Sequence, residues 1–285
     1  MVTAATRIAQ QPTEGRMGDM AVSTAGSQLP TFLCVGAQKA GTTTLHALLS
    51  LHPEIYLPPQ KELQYFSLHY AEGMEWYQNC FAGASPSQCI GEITPYYLFH
   101  PYVAERISND LGKIRIIILL RDPVARTLSH YAHAYRHGFE NLPLDQALNL
   151  EASRLTGAEL ELLKPDGRHK QHQECSYLSR SLYRRQVERY WEHFGGQNVM
   201  VIPSEALFTS PREYLGEIFK FLGLAQCFGH RDERLSLRAN ASTSKDQETI
   251  PESTISRLRE ELSDSYDFAR YELGLYHLIH KFWCY

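Results

Sequence analysis

The stretch that decides the fold is Pro30 to Leu49, which reads Pro-Thr-Phe-Leu-Cys-Val-Gly-Ala-Gln-Lys-Ala-Gly-Thr-Thr-Thr-Leu-His-Ala-Leu-Leu. Residues 31–35 form a short apolar run without helical spacing, which predicts a buried strand. Residues 36–43 are mostly small and predict a turn. From Thr44 onward, leucines recur at a helical spacing, at positions 45, 48 and 49. The sequence therefore predicts a strand, a glycine-containing loop and a helix in succession.

This loop has the residues that an anion-binding site needs. A helix that begins directly after a loop points unpaired backbone N–H groups and the positive end of its dipole at the contents of that loop. Gly36 and Gly41 allow the backbone to approach an anion closely, and Lys39 supplies a positive charge. Thr42 and Thr43 add hydroxyl donors. The sequence predicts a bound anion, and an ordinary strand-to-helix turn is the alternative.

The loop differs from a Walker P-loop in one respect. The spacing of Gly36 and Gly41 matches a P-loop, but Thr42 stands where a Walker loop has lysine, and the lysine lies inside the loop at position 39. A kinase or NTPase needs that lysine on the β- and γ-phosphates and the following Ser/Thr on Mg²⁺. The sequence favours a shorter anion bound without metal, and a P-loop kinase or NTPase is the first alternative.

Length and composition predict one α/β domain. The chain has 285 residues, of which 43% are hydrophobic and 21% charged, and no Pro/Gly/Ser-rich linker follows residue 31. The net charge of −4 argues against general affinity for nucleic acid or anionic membranes. The longest aliphatic run, Ile116 to Leu120, is far shorter than the ~20 residues of a membrane span. Residues 1–30 lack a secretory signal, so we expect a disordered tail, a domain over 31–285 and a soluble cytoplasmic protein.

No metal site is predicted. His130, His133 and His137 share a predicted helix, but no His-Glu-x-x-His pattern or cysteine pair accompanies them, so we interpret them as a mixed polar face. Cys80 and Cys89 would bridge a loop in an oxidising compartment, whereas free thiols fit a cytoplasmic protein better. All six cysteines lack metal-ligand spacing, and they occupy positions 34, 80, 89, 175, 227 and 284.

A second feature with chemical potential is the segment Gln60-Lys61-Glu62-Leu63-Gln64-Tyr65-Phe66. Here Glu62 stands directly after Lys61. A carboxylate beside a lysine is often a solvated surface pair of little energetic value. The functional interpretation is a general base, Glu62, whose charge state is biased by neighbouring cations. The residues alone leave both interpretations open.

The clearest strand is predicted over Ile114 to Leu120, because its β-branched run is typical of a strand covered on both faces in a parallel sheet. It is followed by Arg121-Asp122-Pro123. Ligands of such sheets lie at the carboxyl ends of strands, so we expect Arg121 beside the first loop, where its forked donors reach a second phosphate. Ser129, two turns into the next helix, adds a hydroxyl. A local Arg121–Asp122 salt bridge is the alternative.

The rest of the chain alternates predicted strands and helices, which favours a central, mainly parallel sheet flanked by helices. Residues 139–175 are polar, and we expect them to form an irregular loop or lid on the substrate side. This loop contains a basic, histidine-rich segment from Lys164 to His172.

Taken together, these segments resemble the sulfotransferases that use 3′-phosphoadenosine 5′-phosphosulfate (PAPS). The resemblance rests on the Lys39 loop, on Lys61-Glu62, and on the strand end at Arg121 followed by Ser129. It is greatest for the carbohydrate branch, which includes the heparan sulfate enzymes and their bacterial relatives, and it runs from about residue 30 to 224. It implies a P-loop-like nucleotide-binding fold. It also implies metal-free, in-line transfer to a hydroxyl of a sugar or small metabolite.

The resemblance also implies roles for individual residues. Glu62 would be the base and Lys39 the second catalytic residue, although a histidine serves as base in the cytosolic branch, so His130, His133 and His137 compete with Glu62. The 5′-phosphosulfate would be held by Lys39, Ala40, Gly41, Thr42, Thr43 and Thr44. The 3′-phosphate would be held by Arg121 and Ser129. Further candidates for acceptor contacts are Lys61, Tyr65, Thr94 and Tyr96.

The chain departs from the family pattern in three places. Ile93 stands where several relatives have lysine, so one substrate contact is in doubt. Candidates for a loop that closes over the nucleotide are Arg238, Asn240 and Lys245. The membrane anchor of Golgi members is not seen, which favours a bacterial-type enzyme. A non-catalytic nucleotide-binding protein that retains the fold is the second alternative.

Overall fold

The computed structural model describes residues 28–229, 232–236 and 250–283. Within these ranges a five-stranded sheet has the order β2-β3-β1-β4-β5, and every neighbouring pair is parallel. This confirms the predicted α/β class and its parallel sheet. The strands are β1 (Phe32–Gly36), β2 (Ile55–Tyr56), β3 (Cys89–Ile93), β4 (Arg115–Leu120) and β5 (Val199–Pro203).

Fourteen α-helices are described, along with short 3₁₀ turns and a π-helical turn at Phe268–Glu272. The first seven are α1 (Thr42–Leu49), α2 (Tyr65–Leu68), α3 (Gly73–Asn79), α4 (Val103–Leu111), α5 (Pro123–Arg136), α6 (Leu144–Arg154) and α7 (Ala158–Leu162). The others are α8 (Lys170–Glu174), α9 (Tyr183–Phe194), α10 (Ser204–Thr209), α11 (Pro211–Leu222), α12 (Glu252–Glu261), α13 (Ser263–Asp267) and α14 (Tyr276–Phe282).

The core forms because the central strands are apolar on both faces and amphipathic helices cover them. All five residues of β1 are buried, as are residues 116–120 of β4. Helix α9 contributes an inward face of four bulky residues at helical spacing, namely Tyr183, Val187, Tyr190 and Phe194. The run that ends at Leu120 therefore forms a strand that is buried from Ile116 onward, as its sequence predicts.

The prediction of an irregular loop over residues 139–175 is wrong, because this region forms α6, α7 and α8. The helices bury Ala147 and Leu148 in a second apolar cluster with Tyr177. The polar side chain of Glu151 is also buried, where it accepts hydrogen bonds from the backbone N–H groups of residues 178 and 179 at 2.8 Å. The polarity of the region therefore belongs to helices that are mostly exposed on their outer faces, with Glu151 buried in a hydrogen-bond network.

The topology creates a crevice between β1 and β4. These strands are neighbours, but the chain leaves β1 towards β2 at one edge of the sheet and leaves β4 towards β5 at the other. Connections that diverge in this way open the usual ligand crevice of a parallel sheet at the carboxyl ends of the strands. The loop before α1 and the residues after β4 both border this crevice.

Several sequence predictions fall on residues that the structure does not describe. Residues 1–27 of the predicted tail lie outside the described ranges. So do Cys284 and the three candidates for the nucleotide-closing loop, Arg238, Asn240 and Lys245.

Candidate active site

The first loop turns sharply to bring α1 back against the sheet. The backbone N–H of Ala37 donates to the carbonyl of Leu119 at 2.6 Å, which fixes the loop to β4. Lys39 has φ 70° and Gly41 has φ 85°, both in the left-handed region. Since α1 begins at Thr42, its first-turn N–H groups lack intrahelical acceptors and are directed towards the loop. This geometry suits a small anion.

Arg121 lies against this loop. Its Nη1 donates to the carbonyl oxygen of Lys39 at 3.2 Å, although the two residues are 82 positions apart. The hydroxyl of Tyr183 donates to the carbonyl of Arg121 at 2.7 Å and holds the strand end. Asp122 caps α5 by accepting from the N–H of Ala125 at 2.8 Å. The structure thus brings together the two segments that the sequence predicted to meet, while their roles in binding stay predictions.

Positive charges are concentrated around Lys39. Its pKa is lowered by burial and then by the positive charges of Arg136, Arg121 and Arg126, and only Glu62 opposes this shift. In the described part of the chain, neither Lys39 nor any of these three arginines forms an ion pair. Cations that repel one another without an acidic partner are stabilised by a multiply charged anion.

Two buried arginines that the sequence analysis missed form hydrogen bonds with Gln38 in the loop. Arg126 is 0% exposed, and its Nη1 donates to the backbone oxygen of Gln38 at 3.4 Å. Arg180 donates through Nη1 to the side-chain oxygen of the same glutamine. Arg126 lies four residues before His130 on the inward face of α5, and this helical spacing is the sequence signal that indicates its burial. Nothing in the local sequence marks Arg180.

Glu62 lies in a strained segment tied to the loop. Glu62 and Gln64 have φ of 59° and 58°, which is uncommon for residues other than glycine and is concentrated at functional sites. Lys61 Nζ donates to Glu62 Oε1 at 2.8 Å and to Thr43 Oγ1 at 3.1 Å. The Glu62 side chain stays 37% exposed. A carboxylate that can meet an acceptor is therefore joined through one lysine to the first turn of α1.

The other predicted donor contacts lie in the loop, in α1 and in α5. Ala40 is buried in the turn, Thr42 and Thr44 are buried in α1, and Thr43 is half-buried. Ser129 is half-buried on α5, two turns after the end of β4. Contacts of these residues with a nucleotide stay predictions.

Three candidates for acceptor contacts are engaged in the core. Tyr65 is buried among aromatic rings. The Thr94 hydroxyl is buried and donates to Glu92 Oε1 at 2.6 Å. The Tyr96 hydroxyl lies 2.8 Å from Nδ1 of buried His172. The structure does not bring these side chains to the surface near Glu62, whereas it does bring Lys61 there. Contact with an acceptor stays a prediction for all four.

Glu92 is a buried carboxylate that the sequence analysis did not name as a candidate functional residue. It accepts hydrogen bonds from the hydroxyls of Tyr77 at 2.6 Å, Thr94 at 2.6 Å and Tyr97 at 2.9 Å. Burial raises its pKa, and these three bonds oppose the rise. Because its oxygens are already engaged inside the core, Glu92 stabilises the end of β3, and Glu62 remains the carboxylate that faces solvent.

The three histidines do not form one polar face of a helix as predicted, because His130 is buried against Tyr177, with ring centroids 5.1 Å apart, and His137 follows the last residue of α5. His133 is half-buried, and its pKa falls to about 4 through burial and the charges of Lys39, His137 and Arg136. His133 is therefore neutral at physiological pH and lies near the loop, so it remains a competitor of Glu62 for the role of base.

Three further observations concern the described residues alone. They contain no group of three His, Cys, Asp or Glu side chains arranged to hold a metal ion. Their helices are all too short or too polar to cross a bilayer. Their five cysteines, which include Cys80 and Cys89, are free thiols.

A family model described as "Sulfotransferase domain" matches residues 29–264. The membrane-associated sulfotransferase kil1 of Dictyostelium discoideum is 42% identical over 106 residues, which are 36% of this chain and 22% of that protein. The heparan sulfate glucosamine 3-O-sulfotransferase 5 of Mus musculus is 28% identical over 200 residues, which are 69% of this chain and 54% of that protein. The chain thus spans about half or less of the length of these curated relatives.

One solved structure is similar over nearly its whole length. The crystal structure of a sulfotransferase from Alicyclobacillus acidocaldarius is 29% identical and superposes with a TM-score of 0.67. The match covers 87% of this chain and 96% of that chain. The parallel sheet with its loop before α1 is therefore the P-loop-like fold of sulfotransferases.

Proposed function

The chain belongs to the sulfotransferase domain family, and from this membership we propose that it transfers the sulfuryl group of PAPS to a hydroxyl of a carbohydrate acceptor. The observation that carries the proposal is the contact between Arg121 and the carbonyl of Lys39 at the crevice between β1 and β4. It joins the two segments that would hold opposite ends of one bisphosphorylated nucleotide. A carbohydrate acceptor is supported by the mouse relative, whose name specifies heparan sulfate glucosamine.

The charges of the crevice fit such a donor. Lys39 is surrounded by arginines without an acidic ion-pair partner among the described residues, so a polyanion would relieve their mutual repulsion. The planar guanidinium of Arg121 suits the terminal 3′-phosphate, together with the Ser129 hydroxyl. The 5′-phosphosulfate would be bound by the α1 turn, through Lys39, Ala40, Gly41, Thr42, Thr43 and Thr44.

The residues divide the chemistry of transfer among them. The donor supplies the sulfuryl group: the acceptor oxygen bonds to sulfur as the bond from sulfur to the 5′-phosphate oxygen breaks, and adenosine 3′,5′-bisphosphate leaves. Glu62 accepts the proton of the acceptor hydroxyl. Lys39 balances charge on the sulfuryl oxygens, and the N–H groups of Thr42 and Thr43 stabilise the departing phosphate. We assign this stabilisation to protein groups without a metal ion.

Lys61 aligns the two halves of the reaction. It donates both to Glu62 and to Thr43, at 2.8 Å and 3.1 Å, so the base shares one cation with residues 36–43, the loop that would hold the donor and is called the donor loop below. In-line transfer requires the attacking oxygen to stay opposite the leaving phosphate, and fixing the base relative to the loop favours that geometry. We include Lys61 in the machinery for this reason.

We also propose that residues 31–285 form the sulfotransferase domain and that the protein is cytoplasmic. The five described cysteines are free, as is usual in a reducing compartment, and this supports the location. Fractionation of cells that express a tagged full chain tests the location, and recovery in a membrane or secreted fraction would contradict it.

A labelled-donor assay tests the function. The purified chain is incubated with PAPS carrying radioactive sulfur and, separately, with a heparan sulfate acceptor, a neutral oligosaccharide and a simple phenol. We expect label on the carbohydrate and release of adenosine 3′,5′-bisphosphate. Binding of that nucleotide without transfer to any acceptor would favour the non-catalytic alternative. Hydrolysis or transfer from ATP that requires Mg²⁺ would favour the kinase or NTPase alternative.

A set of point variants tests the base. Glu62→Gln removes the proton acceptor while keeping the side-chain shape, so we expect turnover to fall ~10²–10⁴-fold with nucleotide binding retained. His133→Ala is the competing variant. Glu72→Gln changes an exposed glutamate of the neighbouring turn and serves as the matched control. Full activity in Glu62→Gln, together with loss in His133→Ala, would transfer the role to the histidine.

A further inference from the structure

Gln38 is held from two directions by buried arginines. Arg126 donates to its backbone oxygen and Arg180 to its side-chain oxygen. Gln38 immediately precedes Lys39, whose left-handed conformation directs the loop. The side chain that fixes Gln38 therefore also influences where Lys39 lies. Arg180 is 142 residues away in sequence, so this link joins two distant parts of the chain.

The remaining bonds of Arg180 lead to the segment 169–176, which contains α8. Its Nε donates to the Ser176 hydroxyl at 2.7 Å, and its Nη2 donates to the carbonyls of His172 at 2.8 Å and Gln173 at 2.5 Å. The guanidinium also lies over the ring of Tyr96, 4.9 Å from its centroid. Four of its five N–H donors are thus used within the protein. Arg180 acts through other residues rather than on the nucleotide directly.

The residue before this segment reaches the region of the base. The exposed Arg168 donates through Nη2 to the carbonyl of Leu68 at 3.1 Å, at the end of α2. Helix α2 begins three residues after Glu62. Contacts therefore run from the loop at Gln38 through Arg180 to the segment 169–176, and the chain neighbour of that segment contacts the helix that follows the base.

Burial makes Arg180 sensitive to the loss of any one of its bonds. Arg180 is 2% exposed and has no acidic ion-pair partner among the described residues, so its charge is stabilised by hydrogen bonds, by ring contacts and by the more distant charge of Glu151. A buried charge that loses one such bond is left unsatisfied, which is strongly unfavourable. The donor loop and the segment 169–176 are consequently each more stable when the other is in place.

We propose that Arg180 is a positioning residue that couples occupancy of the donor loop to the ordering of the segment 169–176. The coupling rests on the proposed function, since it takes the loop to be the site of the nucleotide. Because coupling between sites is reciprocal, the nucleotide stabilises the segment by the same factor by which the segment strengthens nucleotide binding. The segment would then be held more firmly when the donor is bound than when the loop is empty.

Hydrogen exchange with adenosine 3′,5′-bisphosphate as the probe tests this coupling in the full chain. We expect the nucleotide to slow exchange in residues 169–176 of the unaltered protein. In Gln38→Ala and in Arg180→Gln we expect that protection to be lost, and the affinity for the nucleotide to fall about 5- to 100-fold. The combined variant should bind no more weakly than the worse single variant, because both remove one link. Arg185→Gln, at an exposed arginine nearby, is the control.

The outcomes separate this inference from the proposed function. If the unaltered chain binds the nucleotide and transfers sulfate, but folded Gln38→Ala keeps full protection of residues 169–176 and full affinity, the coupling is refuted and the function stands. If the unaltered chain binds no nucleotide, both are refuted. Arg180→Lys should recover part of the affinity. If Arg180→Gln does not fold, Gln38→Ala decides alone, since it leaves the arginine in place.

Discussion

Replacing Gly41 by alanine adds one carbon atom to the donor loop and tests whether the loop requires glycine at this position. Gly41 has φ 85°, where an L-residue costs ~1–2 kcal/mol. A Cβ at this position would also lie 2.1 Å from Cζ of Phe208, so the ring or the loop must move. Overpacking of this kind typically costs ~1–3 kcal/mol. We expect Gly41→Ala to lower the free energy of unfolding by about 2–5 kcal/mol, a large part of the ~5–15 kcal/mol that a protein usually has.

Three further variants divide this cost into its causes. Gly223→Ala is the matched control, because Gly223 has φ 74° but its Cβ would meet nothing closer than 3.8 Å, so only the backbone cost of ~1–2 kcal/mol applies. We compare the double variant Gly41→Ala/Phe208→Ala with Phe208→Ala alone. Because the ring is absent from both, the difference in their free energies of unfolding should contain the backbone cost without the clash. Urea denaturation measures all four variants, and nucleotide affinity is measured on the folded fraction. A Gly41→Ala variant no less stable than Gly223→Ala would refute the reasoning.

Three more predictions follow from charges at the site and in the core. The surroundings of Lys39 lower its pKa, so the protonated side chain is disfavoured in the folded protein. Lys39→Met should therefore raise the melting temperature of the free protein while reducing turnover ~10²–10³-fold. A lower melting temperature would contradict this. Arg136→Gln should raise the pKa of Lys39, so nucleotide affinity should persist to higher pH in a titration across the neutral to alkaline range. Arg154→Met should cost ~3–5 kcal/mol in urea denaturation, because the Glu140 side chain is 1% exposed and loses its cation; a neutral effect would show that water reaches this carboxylate.

The parts of the fold that were predictable depend on local patterns. The strand that ends at Leu120 is a continuous apolar run, and such a run indicates a buried parallel strand without reference to any other part of the chain. The same holds for the strand, loop and helix around Lys39. Once both strands were assigned to one parallel sheet, the meeting of Lys39 and Arg121 followed from the rule that carboxyl ends share an edge.

The parts that were missed depend on distant partners. Glu151 suggests a solvated segment when taken alone, whereas in the fold its oxygens are satisfied by backbone N–H groups 27 and 28 residues away. Arg180 resembles any surface arginine until Gln38 is brought to it. Buried polar residues therefore escape pattern analysis, because hydrogen bonds that the local sequence does not specify permit their burial.

Under the proposed function, the cluster of cations around Lys39 has a consequence for the end of the catalytic cycle. Once the sulfuryl group has gone, the spent nucleotide carries a 5′-phosphate with its charge on fewer oxygens, and the same arginines attract it at least as strongly as before. We therefore expect the enzyme to be inhibited by its own by-product, with release of the bisphosphate limiting the steady-state rate. Added salt should then speed multiple turnovers until it begins to weaken capture of fresh donor.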